Sequence, residues 1–350
     1  MTDNFKNILI IKPSALGDII LALPALSALR RNYPDAKISW LIRAEYAPLI
    51  ENHPDLDQVI LFDRKFLGKA WYNPKAFAAI ISLIKQLQEN SFDVIFDFQG
   101  LLRTACFSWL SGCKNRFGMA NAREFSRIFY THKIKQDEDC IHLVDYYLKI
   151  IKTSGVSDIN VQFVLPHNSD VEVAVKKIIE SNNVDSNEYV VFVPCSAHTD
   201  KCWPLERFAA LADKITNDFK LQVVATGAAG ESDIIEKLKL LSNVQITNLA
   251  GKLNLKELTA LLRAARLVVS NDTGPGHIAA ALGTPLVMMF GWSNPVRIAP
   301  YGRAESLLAA GMENRGIRIK SYDPAHSVEA ITFEQVYKKV SEQLNKTLNK

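Results

Sequence analysis

Four short loops of this chain gather the side chains that could do chemistry, and each follows an apolar run and precedes a helical one. The richest is Ser270-Asn271-Asp272-Thr273-Gly274-Pro275-Gly276-His277, set between Leu267-Val268-Val269 and the small-residue stretch Ile278 to Gly283. Gly274 and Gly276 carry no Cβ, so the backbone can turn sharply and approach a ligand. Pro275 suits a first helical turn, where a missing N–H costs little. The free N–H groups and positive dipole end of that helix would face the turn, an arrangement that holds anions and most often phosphate. Asp272 and Thr273 add a carboxylate and a hydroxyl at the carboxyl end of the strand, where open α/β sheets bind ligands. His277 either helps to bind or neutralise a leaving diphosphate or packs in the core. The plainer alternative for the whole loop is a capped turn with no ligand.

The second loop is Pro194-Cys195-Ser196-Ala197-His198-Thr199-Asp200-Lys201-Cys202-Trp203-Pro204. Ser196, His198, Thr199 and Lys201 offer the donors and the compact positive charge that a diphosphate wants. It is not a Walker loop, since the glycines of that motif are missing. Cys195, His198 and Cys202 do not have the spacing of a usual zinc site, and no metal or other cofactor is expected. The third loop, Thr226-Gly227-Ala228-Ala229-Gly230-Glu231, ends on a carboxylate that either accepts hydrogen bonds from ribose hydroxyls or compensates a helix dipole. The fourth, Ser14-Ala15-Leu16-Gly17-Asp18, places a carboxylate where it could abstract a proton, with Gly17 allowing a second substrate close to the backbone.

Strands and helices must position these loops. Ile8-Leu9-Ile10-Ile11, Lys37 to Ile42, Val59 to Phe62 and Val94 to Asp97 read as strands, several of them apolar enough to be covered on both faces. Helical patterns run from Ile19 through Pro24 to about Asn32, and from about Pro74 to Asn90. After an amphipathic helix at 141–154 and a linker at 155–170, a helix at about 171–181 leads into a second alternation. Its strands are Tyr189–Val193, Leu221–Ala225, Val244–Ile246, Leu267–Val269 and Pro285–Phe290, with helices at 204–217, 231–241 and 255–265. The fold class is α/β, with two Rossmann-like doubly wound domains facing a central cleft. The expected divisions are 1–165, 166–330 and a C-terminal amphipathic helix, 331–350. Three of the four loops fall in the second domain, which would hold a nucleotide while the first holds the group that reacts with it. Closure of the cleft would exclude water.

A net charge of +4 is mild and argues against nucleic acid as the main partner. Five unevenly spaced cysteines suggest reduced thiols rather than a disulfide framework. The start lacks a signal-peptide layout, and no apolar run reaches bilayer length. Between Gly100 and Lys135, however, Arg103, Lys114, Arg116, Arg123, Arg127, Lys133 and Lys135 meet a single acid, Glu124, with aromatics interleaved. This is either a solvated face or an attraction to an anionic acceptor or an acidic lipid surface.

Ile11-Lys12-Pro13-Ser14-Ala15-Leu16-Gly17-Asp18-Ile19, Asp97-Phe98-Gln99-Gly100, Lys201-x-Trp203-Pro204 and Ser270-x-Asp272-Thr273-Gly274-x-x-His277 together resemble the family-9 glycosyltransferases. These are the ADP-heptose:lipopolysaccharide heptosyltransferases and their relatives. The stretch Phe117-Gly118-Met119 to Ala122-Arg123-Glu124 looks closer to the type I enzymes than to type II. The resemblance implies a GT-B fold and an inverting, metal-independent transfer. It makes Asp18 the general base, Lys201 and Ser196 diphosphate contacts, Glu231 a ribose contact and Leu253 part of an adenine pocket. Asp272, Thr273, Gly274 and His277 would form the donor-sugar and phosphate loop. Ser14, Gly17, Arg64 and Arg123 would serve the acceptor. Three positions depart from the pattern. Ala197 follows Ser196 where a second hydroxyl is common, so Thr199 would contribute. Leu21 replaces a polar residue, and Gly276 replaces a larger one, which would widen the donor-sugar pocket.

The expected activity is therefore transfer of heptose from ADP-heptose to an inner-core, Kdo-lipid A type acceptor. The protein would work in the cytoplasm, peripheral on the inner membrane, with a nucleotide sugar and an anionic glycolipid as partners and no nucleic acid. Another nucleotide sugar, a GT-B-like nucleotide-sugar epimerase and a non-catalytic binding module are the alternatives. A dehydrogenase is disfavoured because no clean G-x-G-x-x-G follows the first strand.

Overall fold

The computed structural model of the chain describes residues 4–186, 188–311, 315, 318–321 and 323–348. Met1 to Asp3, part of the expected leaderless start, and Asn349, at the expected end of the last helix, lie outside them. The chain divides into two compact units, Met1–Pro166 and His167–Lys350.

The first unit runs β1 (Asn7–Ile11), α1 (Leu16–Asn32), β2 (Lys37–Ile42), β3 (Gln58–Leu61), α2 (Arg64–Leu67), α3 (Pro74–Glu89), β4 (Val94–Asp97), α4 (Leu102–Leu110), β5 (Asn115–Met119), β6 (His132–Ile134) and α5 (Leu143–Lys152). Its six strands are parallel in the order β3-β2-β1-β4-β5-β6. Nearly all of β1, β2 and β4 is buried, which is why these runs are so largely apolar. Helix α1 is buried from Ile19 to Leu29 and tolerates Pro24 inside, because its length and tight packing, against α5 among others, outweigh one lost hydrogen bond. It starts at Leu16, three residues before the sequence pattern suggests, so Gly17 and Asp18 belong to its first turn rather than to the loop.

The second unit runs α6 (Ser169–Ser181), β7 (Tyr189–Val193), α7 (Leu205–Phe219), β8 (Gln222–Ala225), α8 (Ser232–Leu241), β9 (Ile246–Asn248), α9 (Leu255–Ala264), β10 (Leu267–Asn271), α10 (Gly274–Leu282), β11 (Leu286–Phe290), α11 (Pro295–Ile298), β12 (Leu307–Ala309) and α12 (Phe333–Leu348). Its order is β12-β11-β10-β7-β8-β9, again all parallel. Numbered within the unit and read from the other edge, this is the same order as the first sheet: third, second, first, fourth, fifth, sixth. That is the doubly wound order of dinucleotide-binding folds. Helix α12, set apart as 331–350 in the sequence, seats Val336, Val340 and Leu344 in the core of this unit, packing against β10, β11 and α7.

Candidate active site

A doubly wound sheet opens a crevice where its winding reverses, outside the carboxyl ends of the first and fourth strands of the unit. In the first unit that point lies between β1 and β4, in the second between β7 and β10. The loops after these strands are Lys12 to Ala15, Phe98 to Leu101, Pro194 to Pro204, and Asp272 with Thr273. Helices α1, α4, α7 and α10, which leave these strands, begin with no side-chain cap, whereas α3, α6 and α9 are each capped by an asparagine. Their first-turn N–H groups are thus left for something other than the helix's own side chains.

In the second unit Lys201 Nζ lies 2.5 Å from Asp272 Oδ2, and His277 Nε2 lies 3.6 Å from Asp272 Oδ1. Asp272 is buried, which opposes its charge. The hydrogen bond from His277 and the positive charge of Lys201 more than offset this, holding the carboxyl well below the usual carboxylate range. His277 is also buried, and its Nδ1 has no hydrogen-bond partner among the described residues. Thr273 is the N-cap position of α10, and its hydroxyl meets Ser270 Oγ at 3.0 Å rather than capping the helix. Asn271 ties the two loops together: its Nδ2 donates to Pro194 O at 2.8 Å, and its Oδ1 accepts from the Trp203 N–H at 3.0 Å. That residue was passed over as the unspecified position between Ser270 and Asp272, although a buried amide at a strand end must be hydrogen-bonded.

Gly274 begins α10, and neither it nor Gly276 has a positive φ. Gly276 faces inward. A Cβ there would meet Ser270 Oγ at 2.8 Å and the Met288 side chain at 3.1 Å. The glycine therefore serves close packing of α10 on β10 and β11, and the expected widening of a sugar pocket is not what it does. Gly276→Ala should lower stability by roughly 1–3 kcal/mol through overpacking, read as a lower melting temperature.

Ser196 is half-buried in the loop after β7, while Thr199 and His198 are exposed. Glu231 uses Oε2 to accept the Ala228 N–H at 2.7 Å, so the dipole-and-turn role is realised on that oxygen. The Gly251 N–H donates to Gly227 O at 3.0 Å, stitching the loop after β9, where Leu253 is half-buried, to the loop that carries Glu231. Cys195 and Cys202 do not join a cluster. Burial pushes the Cys195 thiol up to about 12, and Cys202 Sγ donates to His198 O. Among the described residues no group of three or more His, Cys, Asp or Glu is placed to hold a metal.

In the first unit the buried Lys12 sets its Nζ 3.1 Å from Asp18 Oδ2. Burial works against the ammonium, but the Asp18 carboxylate and Tyr147 outweigh it and hold the pKa above its ordinary value. The Asp18 side chain itself is partly exposed. Lys12 stood in the sequence motif without a role. The signal was there, since a lysine ending an all-apolar strand must find a counter-charge. Removing it with Lys12→Met should misplace Asp18 and lower turnover on the order of 10²-fold with the donor KM unchanged, measured by steady-state kinetics.

Asp97, buried at the end of β4, accepts the Tyr130 hydroxyl at 2.8 Å and the N–H groups of Gln99 and Gly100 at 2.8 and 3.2 Å. Burial raises its pKa against these bonds. They fix the turn whose Gln99, with Ser14, lines an open pocket together with Arg43, Arg64, Arg103 and Glu124. Arg64 is where the sequence put an acceptor contact. Arg123 is exposed and is not among the lining residues; Arg43 and Arg103 are there instead. The basic run 100–135 is therefore not one face. Phe107, Phe117 and Tyr130 are buried, and Arg116 is spent on the carbonyls of Cys113 and Phe129.

Two dinucleotide-type sheets, one opening on a carboxylate beside a guanidinium-lined pocket and the other on an uncapped helix end beside a lysine, define an α/β enzyme of the group-transfer type. The family described as glycosyltransferase family 9 (heptosyltransferase) matches residues 80–326, and the chain belongs to it. It is a glycosyltransferase. The lipopolysaccharide core heptosyltransferase OpsX of Haemophilus influenzae is 29% identical over 317 residues, 89% of this chain and 87% of that protein. The glycosyl transferase family 9 protein of Veillonella parvula has a similar structure, with a TM-score of 0.83 at 23% identity and 99% of each chain covered. The E. coli heptosyltransferase WaaC with ADP superposes with a TM-score of 0.77 at 25% identity, covering 96% of this chain and 99% of that one.

Proposed function

We propose that this chain transfers heptose from ADP-heptose, with inversion, to an inner-core lipopolysaccharide acceptor of the Kdo-lipid A type, on the cytoplasmic face of the inner membrane. The observation that carries the reading is the coincidence of candidate chemistry with both winding-reversal points, in a chain whose relatives include a lipopolysaccharide core heptosyltransferase. Asp18 Oδ1 takes the proton from the acceptor hydroxyl as that oxygen bonds the anomeric carbon. The bond from that carbon to the diphosphate breaks on the opposite face, and ADP leaves. Negative charge grows on the diphosphate, and Lys201 and the open N-terminus of α10 stabilise it. Ser196, Thr199 and Thr273 supply hydroxyl donors to the phosphates, Gly274 its N–H, and His277 a buried imidazole. Glu231 keeps Oε1 for a ribose hydroxyl, and Leu253 offers apolar surface to the base. Ser14 and Arg64 contact the acceptor, with Gly17 beside the base and Arg123 attracting it from outside. A single base, rather than a pair of catalytic carboxylates, is consistent with one displacement and no covalent intermediate. No metal is called for, because lysine and helix dipole supply the positive charge.

A thermal-shift panel of ADP, UDP and GDP tests the donor assignment. ADP should stabilise most, by about 2.7 kcal/mol at a hundred-fold excess over Kd. Equal shifts for all three would overturn the adenine assignment. Incubating ADP-heptose with and without acceptor separates transfer from epimerisation, since an isomerised sugar without acceptor would favour the latter.

A further inference from the structure

The apolar side chains most exposed on the first unit are not scattered. Trp71 is 86% exposed and Phe125 83%, with Tyr72, Phe77, Leu102 and Ile128 also open to solvent. Helix α3 packs on α2 and α4, and α4 packs on the turn Ser126–Phe129, so these residues lie on one continuous run of elements. Trp71 and Tyr72 stack edge to face with ring centroids 4.6 Å apart, in the turn that follows α2. The run borders the acceptor pocket. Leu102 lies between the lining residues Leu101 and Arg103, and Phe125 follows the lining residue Glu124, whose Oε2 accepts the Leu102 N–H at 3.1 Å.

Cations outnumber acids around this rim. Arg64, Lys65, Lys69, Arg103, Arg123 and Arg127 are exposed, and none makes an ion pair among the described residues. The two nearby acids are already engaged, Asp63 with the Phe66 N–H and Glu124 with that of Leu102. Exposed tryptophan and tyrosine flanked by free lysine and arginine is the chemistry of a surface that sits at a lipid headgroup layer. Exposed aromatic side chains gathered on packed elements beside a pocket mark an interaction surface.

We propose that the rim formed by Trp71, Tyr72, Leu102 and Phe125, with Lys65 and Lys69, docks this unit on an anionic phospholipid surface and turns the mouth of the acceptor pocket to it. The aromatic rings enter the headgroup layer and the lysines pair with lipid phosphates. This extends the reading of a lipid-anchored acceptor, but its test uses vesicles that contain no acceptor, so either can fail alone.

The full chain is mixed with vesicles of phosphatidylcholine alone, or of phosphatidylcholine with phosphatidylglycerol, and sedimented over a series of salt concentrations. The protein should sediment with the anionic vesicles, with a blue shift of tryptophan emission, and much less with the zwitterionic ones. Trp71→Ser combined with Phe125→Ser should weaken binding at least ten-fold. Lys65→Gln and Lys69→Gln should each weaken it roughly five-fold and flatten its salt dependence. ADP-induced thermal shifts should be unchanged in all of these variants. Absence of wild-type binding to anionic vesicles at low salt would overturn the proposal, as would unchanged binding by both sets of variants. A Trp71-dependent dimer in sedimentation equilibrium that ignores vesicles would assign the rim to a second copy instead. Should the aromatic double variant fail to fold, the lysine variants decide.

Discussion

Asp18→Asn is expected to lower the transfer rate by about 10²–10⁴-fold while ADP affinity stays within a few-fold. The amide keeps the shape of the side chain and an oxygen for Lys12, but it cannot take a proton. Asp18→Ala should lose as much turnover and also stability. It leaves Lys12, buried and 3.1 Å from the lost carboxylate, with Tyr147 beside it but no counter-charge, and removing one member of a buried pair costs about 3–5 kcal/mol. Since Asp18 is partly exposed, the cost should fall at the lower end of that range. Transfer assays and thermal melts on both variants separate the roles: a shared loss of turnover marks the base, and a melt lowered in both variants, most in the alanine one, marks the contact with Lys12. Turnover retained in the asparagine variant would remove Asp18 from the mechanism.

Lys201→Ala should act twice. Losing a charge-assisted donor to the leaving diphosphate costs about 2–4 kcal/mol in the transition state, visible as a lower kcat/KM and weaker ADP binding. The same change leaves Asp272, buried and 2.5 Å from the lost ammonium, with His277 alone to support its charge. The sign with pH follows. Asp272 has a folded-state pKa depressed below its unfolded value near 3.9, so its contribution is full above that value and is lost as pH falls through the folded one. Without Lys201 the depression shrinks, and the variant should lose its fold at a less acid pH than the wild type in an acid titration followed by circular dichroism. An unchanged acid midpoint together with unchanged ADP affinity would contradict both roles.

Much of this was legible before any coordinates. Strands β1, β4, β7, β10 and β11 are continuous apolar runs because helices cover both their faces, and length and pattern suffice to find them. The strands that escaped are β5, β6 and β12. Each is short or interrupted by polar residues, as in Asn-Arg-Phe-Gly-Met and His-Lys-Ile, and β6 and β12 are edges with little to bury. Gly118 in β5 reads as a breaker, yet a Cβ there would lie 2.5 Å from the Tyr130 ring, so the glycine is what lets that tyrosine reach Asp97. Strand β9 begins later than its apolar pattern, because Asp213 Oδ1 accepts the Val244 N–H and keeps that residue out of the ladder. At the site, residue types picked out Asp18, Lys201, Asp272 and His277. Lys12 with Asp18 and Asp272 with His277 are local pairs, but that Lys201 meets Asp272 and that Asn271 ties the two loops together depends on pairings across 71 and 77 positions of sequence that no local pattern records.

The winding order also decides when the chemistry can come into being during synthesis. Ile8 pairs with Val94, and Val190 with Leu267, both in parallel register, so each central pair waits for a strand made long after its mate. Every outer strand pair in both halves except those two joins neighbours in the order of translation. The seam that carries the reactive loops is thus the one with the longest stretch of chain to gather in, and such distant parallel pairings are slow to form. A nascent chain with its second or third strand out of the ribosome has helices and a partial sheet but no reactive seam. The reactive seam of each half closes only once its fourth strand has been made and has paired with its first.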